Sequence, residues 1–132
     1  MILSYSKPEF VDLILLGKKI HTIREDAPQR WKAGREIQHW LGNPRNVHAK
    51  NKPREFLKGV CFSVQSIKIE CMDRSNWGIY YRVWIDGKAV SCPDCSVLAE
   101  NDGLTSDEFS LWFLKGQDVF VGKIIHFTDL RY

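Results

Sequence analysis

Apolar residues recur at helical spacing near the start of the chain and predict a first helix over about residues 7–16. Ser6 and Glu9 have the spacing of a capping box, and Gly17 suits the residue that ends a helix. A short strand is predicted directly after this glycine, over about residues 19–24. Another short strand, over residues 2–5, is predicted before the helix.

Alternating apolar positions predict most of the remaining chain as strands. The predicted strands cover about residues 36–40, 58–70, 77–85, 88–90 and 119–130. Within the second of these, the alternation changes parity near Gln65 and Ser66, which indicates a bulge. Asp86 and Gly87 are typical of a tight hairpin turn.

Two helical segments complete the pattern. A helical turn is predicted over residues 98–102, and Gly103 ends it. Thr105 and Glu108 have the spacing of a second capping box, which predicts a helix from there to about residue 115. Six or so strands with two or three short helices indicate an α+β fold, built as a small, partly open mixed β-barrel with flanking helices. The length of 132 residues suits one domain over residues 1–132.

Two segments stand apart from this pattern, a loop over residues 42–57 and a hairpin over residues 72–95. Residues 45–54 of the loop carry five basic or histidine side chains, including Arg45 and Lys52, and no acid. One interpretation is a solvated surface loop. The other is a mobile basic lip over a groove that attracts phosphate.

Composition indicates a globular protein, since 44% of the residues are hydrophobic and 27% are charged. A net charge of +3 permits nucleic-acid binding without requiring it. Five tryptophans are many for this length, and Trp31 or Trp40 is a candidate for stacking on a base, with a core position as the alternative for each. No apolar run approaches the roughly 18 residues that span a bilayer, and the start lacks the apolar core of a signal peptide. We therefore expect a cytoplasmic protein with no membrane partner.

The short strand after the first helix is crowded with reactive side chains. Lys18, Lys19, His21, Thr22 and Arg24 lie within seven residues. One interpretation is an edge strand protected by charges. The other is a functional site, in which parity predicts that His21 faces away from Thr22 and packs inside.

Four motifs of the chain resemble the ASCH domain, a family with a PUA-like β-barrel fold. They are G-K-K-I-H-T-I-R-E-D at 17–26, W-K-A-G-R-E-I at 31–37, N-D-G-L-T-S-D-E-F at 101–109 and G-K-I-I-H-F at 122–127. The resemblance leaves the basic loop and the hairpin as insertions. It implies a cleft, walled by the first helix and the second strand, that receives a nucleotide base or an RNA element.

Some ASCH proteins remove the acetyl group from N4-acetylcytidine, and others are thought to be RNA-binding modules or nucleases. The motif of the amidohydrolases is similar to residues 17–24 of this chain. The resemblance therefore implies catalytic roles for Lys19 and Thr22 and a binding role for Arg24. It places a catalytic glutamate near Glu100, with Asp102 as the alternative carboxylate.

Such an amidohydrolase needs no metal or other cofactor. A desolvated lysine acts as the base, a threonine acts as the nucleophile or holds a water, and a carboxylate carries protons. Residues 19 and 22 point to opposite faces of a regular strand. Lys19 therefore joins the site only if the chain is irregular just after Gly17.

The cysteines allow a separate interpretation. Cys92 and Cys95 have the spacing of a zinc knuckle. Cys71, with either His48 or Cys61, would complete four zinc ligands. Reduced cysteines without metal are the prediction that we prefer.

Three functional hypotheses remain open. The first is recognition of RNA or a modified nucleoside, and the second is hydrolysis of N4-acetylcytidine-type nucleosides. The third is a protein-contact surface on the hairpin over residues 72–95. The residues predicted for the recognition site are Lys19, Thr22, Arg24, Asp102, Arg45 and Lys52, and those predicted for catalysis are Lys19, Thr22 and Glu100.

Overall fold

The computed structural model describes residues 1–46, 48 and 50–132, with Cys92 described through its backbone only. Residues 47 and 49 of the predicted basic loop, and the side chain of Cys92 as a possible zinc ligand, lie outside the described residues. The helices and strands are, in chain order, β1 (Ile2–Tyr5), α1 (Glu9–Leu15), β2 (His21–Arg24), β3 (Glu36–Leu41), β4 (Arg54–Val60), β5 (Ser63–Ser75), β6 (Gly78–Ile85), β7 (Lys88–Ala89), α2 (Cys92–Asn101), α3 (Ser106–Leu114) and β8 (Val119–His126).

The strands form two sheets, which confirms the predicted α+β class. The smaller sheet has the order β1-β3-β4, with β1 parallel to β3. The larger sheet has the order β2-β8-β5-β6-β7, and all of its strand pairs are antiparallel. Within the described residues, these sheets do not join into a closed barrel.

The core takes apolar side chains from both sheets and from all three helices. Its fully buried members include Ile37 of the smaller sheet, Ile69 and Ile124 of the larger one, Leu98 of α2 and Phe109 of α3. Burial of large apolar side chains is the main favourable contribution to folding.

The predicted strand over residues 58–70 is wrong, because the chain changes sheets within it. β4 ends at Val60 and β5 begins at Ser63. Between them, the Cys61 N–H donates to the carbonyl of Arg35, and the Cys61 carbonyl accepts from the Gly34 N–H, just before β3. The next N–H, that of Phe62, donates to the carbonyl of His126 in β8. The apparent change of parity arises because the apolar Val60 and Phe62, on either side of this crossing, are exposed. The bulge of β5 lies between Cys71 and Asp73 instead.

The two predicted capping boxes have different outcomes. Thr105 caps α3: its hydroxyl accepts from the Glu108 N–H, and the Glu108 carboxylate accepts from the Thr105 N–H. Ser6 does not cap α1. Pro8 occupies the N-cap position with helical dihedral angles, so the helix begins too late for the Ser6 side chain to reach its free N–H groups.

The hairpin over residues 72–95 is continuous with the larger sheet. Asp86 and Gly87 form its turn, as predicted, and both have positive φ angles. Val83 and Ile85 of β6 belong to the core, and the segment Cys92–Cys95 begins helix α2.

Gly122 allows β2 and β8 to approach closely. A Cβ at this position would lie 2.5 Å from the backbone oxygen of Arg24 and 2.8 Å from the ring of Phe120. The glycine therefore fixes how β2, which carries the reactive side chains, lies on the larger sheet.

Candidate functional site

A small cavity opens where β1, α1, β2 and α3 meet, with a volume of about 140 Å³. Its polar lining comes from the segment around β2, from Asp102 and from two serines in and just after β1, and its apolar walls are mainly aromatic. The lining residues are Ser4, Tyr5, Ser6, Phe10, Lys19, Thr22, Ile23, Arg24, Asp102, Trp112 and Phe113.

Lys19 reaches this cavity because the chain is irregular between α1 and β2. Gly17 has a φ angle of 72°, and the N–H groups of Lys18 and Lys19 both donate to the carbonyl of Leu13. Regular pairing of β2 begins only at His21. The chain is therefore irregular just after Gly17, which is what Lys19 needs in order to join Thr22 at one site.

The Lys19 side chain is buried, with 2% of its surface exposed. Its Nζ donates to the backbone oxygen of Asp102 at 2.6 Å and to Oδ1 of the same residue at 3.1 Å. The ammonium also lies 4.5 Å from the ring centroid of Phe10. Burial lowers the pKa of Lys19 below its usual value, against the opposing effect of the Asp102 carboxylate.

Gly103 makes room for this arrangement at the end of α2. Its φ angle is 86°, and a Cβ there would lie 3.1–3.2 Å from Phe10, Leu13 and the Cδ of Lys19. The glycine thus ends the helix and lets the Lys19 stem pass beside Asp102.

Thr22 and Arg24 complete the polar side of the cavity. Thr22 is buried, and the Arg24 Nε approaches its Oγ1 at 3.5 Å. The Arg24 Nη2 donates to the backbone oxygen of Ser4 at 2.6 Å, and its guanidinium lies over the ring of Tyr5. Arg24 therefore links β2 to β1 across the cavity.

His21 lies beside Asp102 and does not line the cavity, and its burial agrees with the inward packing that parity predicted. Its ring is buried, and its Nδ1 lies 3.3 Å from Oδ1 of Asp102. Burial lowers the pKa of His21, opposed by the Asp102 carboxylate. We therefore assign a neutral imidazole to this position near neutral pH.

The structure brings together four of the predicted site residues, namely Lys19, Thr22, Arg24 and Asp102. Glu100 is exposed and lines a different surface groove, together with Asn101 and Lys18. The carboxylate within the cavity is therefore that of Asp102.

Arg45 and Lys52 lie outside the cavity. Both side chains are exposed in the loop before β4. The Arg45 N–H donates to the side chain of Asn43, which is a local turn contact. Any contribution of these two residues is therefore made at the surface.

Trp112 is the aromatic residue that the sequence interpretation missed. Trp31 belongs to the core, and Trp40 does not line the cavity, whereas Trp112 lines it and is 48% exposed. Its ring lies 5.8 Å from that of Phe10. The packing of α3 against α1 places Trp112 at the border of an opening, which the local sequence does not show.

Within the described residues, no group of three or more histidine, cysteine or acidic side chains is arranged to hold a metal ion. Cys61 and Cys95 are buried, and Cys71 is half-buried. None of the helices in the described part of the chain is long and apolar enough to cross a membrane.

Comparison of the chain with protein-family models, with curated proteins and with solved structures finds no match. The chemistry of the site must therefore be argued from its own residues. The cavity offers a buried ammonium, a guanidinium, a hydroxyl and a carboxylate between aromatic walls. Such a set can bind a small planar ligand that has both hydrogen-bond donors and acceptors at its edge.

Proposed function

We propose that this protein recognises a pyrimidine-type base, in a modified nucleoside or in RNA, and that the base enters the cavity around Lys19, Thr22, Arg24 and Asp102. The observation that carries the proposal is the meeting of these four polar side chains inside one small aromatic-walled cavity. The ASCH motifs of the sequence support the same ligand class and a PUA-like relation of the two sheets. The proposal places the protein in the cytoplasm, where both ligands are present.

The size of the cavity fits one ring. Its volume of about 140 Å³ is close to the roughly 150 Å³ of an engineered cavity that binds benzene in another protein. A pyrimidine ring is therefore a better match than a larger, fused ring system. The nucleoside sugar would then remain at the mouth, beside Trp112.

The polar groups match the edge of a pyrimidine. The Arg24 guanidinium and the Lys19 ammonium donate to a ring carbonyl, and the Asp102 carboxylate accepts from an exocyclic N–H group. Trp112, half-exposed at the opening, stacks on the base or on its neighbour in an RNA strand.

Calorimetric titration with cytidine, N4-acetylcytidine and uridine tests this proposal. Arg24→Lys keeps the charge but loses the planar fork, so we expect affinity to fall about tenfold. The exposed neighbour variant Lys18→Ala is the matched control and should bind within about twofold of the parent. Equal affinity of Arg24→Lys and the parent would exclude Arg24 from the site, and no binding of any nucleoside or RNA would reject the proposal.

If the natural ligand is RNA, the exposed loop contributes through the phosphates. Affinity for a single-stranded oligonucleotide should then fall steeply with salt, and Arg45→Ala with Lys52→Ala should reduce that slope. Lys88→Ala, on the edge strand at the other end of the sheet from β2, is the control and should leave the slope unchanged. A slope that the loop substitutions do not alter would exclude the loop as a docking surface.

An amidohydrolase is the second candidate, favoured by the lowered pKa of the buried Lys19 near Thr22. In this reaction, the neutral Lys19 amine takes the Thr22 hydroxyl proton as the oxygen attacks the acetyl carbon of N4-acetylcytidine. The carbon–nitrogen bond breaks, and the proton passes from Lys19 to the departing N4. Water then releases acetate from Thr22.

Release of cytidine, followed by chromatography, separates the two candidates. Thr22→Val has the same shape without the hydroxyl and should abolish release, whereas Thr22→Ser should retain part of it. Binding of N4-acetylcytidine without release by the parent protein would leave recognition alone. Release by Thr22→Val at the parental rate would remove Thr22 from the reaction.

A further inference from the structure

A chain of hydrogen bonds leads from the back of the cavity to the surface. Oδ1 of Asp102 lies 3.3 Å from Nδ1 of His21, and Nε2 of His21 lies 2.7 Å from the hydroxyl of Tyr132. The side-chain amide of Asn101 donates to the same hydroxyl at 2.9 Å. Neither His21 nor Tyr132 lines the cavity, so this chain acts on the cavity only through Asp102.

With His21 neutral, the inventory of donors and acceptors fixes the direction of every bond in the chain. The Asn101 amide nitrogen can only donate, so the Tyr132 oxygen accepts from it, and the Tyr132 hydroxyl donates to Nε2 when the proton of the neutral His21 is on Nδ1. An ionised carboxylate can only accept, so Nδ1 of His21 carries the proton that faces Asp102. One neutral tautomer, protonated at Nδ1, therefore satisfies all the partners.

Tyr132 is held independently of its hydroxyl. Its N–H donates to Oε1 of Gln65 at 2.8 Å, and its carbonyl accepts from Nε2 of Gln65 at 2.7 Å. His126 contacts the same Gln65 oxygen at 3.0 Å. Removing the Tyr132 hydroxyl therefore breaks the chain while these backbone anchors keep the ring in place.

We propose that His21 and Tyr132 are positioning residues for the cavity, which hold one oxygen of Asp102 against the Lys19 ammonium. The same Oδ1 atom accepts from Lys19 at 3.1 Å and from His21 at 3.3 Å. With Nδ1–H directed at it, this oxygen keeps one orientation, and the ammonium that faces the ligand keeps its place. The predicted effect on ligand affinity rests on the proposed function. The predicted tautomer of the His21 imidazole does not depend on it.

The tautomer of His21 is measured without any ligand, by long-range proton–nitrogen correlation NMR on the labelled protein. We expect the parent to show a single neutral imidazole protonated at Nδ1. In Tyr132→Phe, Nδ1 keeps the proton that faces Asp102, but Nε2 loses its hydrogen-bond donor, so we expect its nitrogen signal to shift downfield. A parent imidazole protonated at Nε2, or an unchanged spectrum in Tyr132→Phe, would overturn the proposal.

Affinity for N4-acetylcytidine gives the second readout. We expect Tyr132→Phe to weaken binding about threefold to tenfold, as the loss of one supporting hydrogen bond predicts. His21→Asn retains an N–H donor near the Nδ1 position and should bind more tightly than His21→Leu. Tyr80→Phe, an exposed tyrosine of β6, is the matched control and should bind as the parent does.

The outcomes distinguish this inference from the proposed function. If the parent binds no nucleoside, the proposed function fails and the tautomer measurement alone decides the positioning role. If the parent binds and folded His21→Asn and His21→Leu bind equally, His21 is a packing residue and the positioning role is excluded.

Discussion

Lys19 illustrates which part of the site the sequence could predict. Its position in the G-K-K-I-H-T-I-R motif was sufficient to single it out, but its partner was ambiguous between Glu100 and Asp102. Side chains two positions apart on a helix, such as those of residues 100 and 102, point about 200° apart around its axis. Only one of these two side chains can therefore face the cavity. Which one does so depends on how α2 packs, and that information does not lie in the local sequence.

The buried ion pair of Lys19 and Asp102 leads to a prediction about the stability of the protein. Lys19→Met keeps the apolar stem but leaves the Asp102 carboxylate buried without its cation, so we expect a loss of about 3 kcal/mol in unfolding free energy. Adding Asp102→Asn removes that charge and should restore part of the loss. Lys18→Met, at the exposed neighbouring position, is the control for urea unfolding. A double variant less stable than Lys19→Met would contradict this account.

The elements were predicted well where a local signal determines them. The Asp86-Gly87 turn and the Thr105 cap are set by residues next to each other in the chain. The crossing between the sheets at Cys61 was not predicted, because a strand that changes sheets continues to alternate. The false cap at Ser6 has a different cause: Pro8 takes the N-cap position of α1, and the capping pattern does not take Pro8 into account.

The two capping patterns can be compared directly by mutation. Thr105→Ala removes the acceptor for the Glu108 N–H and should lower the unfolding free energy by about 1 kcal/mol. Ser6→Ala, at an exposed position without a capping bond, should change it by less than about 0.5 kcal/mol. Equal losses in urea unfolding would show that the cap of α3 contributes nothing specific.

At the scale of the whole molecule, buried histidines link stability to pH. Burial lowers the pKa of His39 to about 4 and that of His126 to about 4, and it lowers the pKa of His21 as well. All three rings lie inside the protein, where they join contacts between distant strands. Strand parity predicted that His21 packs inside, and its burial agrees with that role.

The sign of the pH dependence follows from these pKa values. Between about pH 6.5 and pH 4, the unfolded chain binds protons at positions 39 and 126 that the folded protein does not bind. The unfolding free energy should therefore fall as the pH is lowered through this window, by up to about 1.4 kcal/mol per pH unit for each histidine. Below the folded pKa of about 4, this contribution to the slope ends.

Urea unfolding at a series of pH values measures that slope. His39→Gln removes one of the titrating groups and should make the slope shallower. His48→Gln changes an exposed histidine of the loop and serves as the control. A slope that His39→Gln leaves unchanged would show that His39 is not responsible for it.

The cavity joins parts of the chain that are far apart in sequence. Ser4 and Tyr5 come from β1, Lys19 from the segment before β2, Thr22 and Arg24 from β2, and Asp102 and Trp112 from the last third of the chain. Closing such long loops costs chain entropy before the contacts can form, so these contacts form late in folding. During synthesis, the cavity is therefore absent until the chain has reached Trp112 and Phe113, so only finished molecules contain it and nascent ones do not.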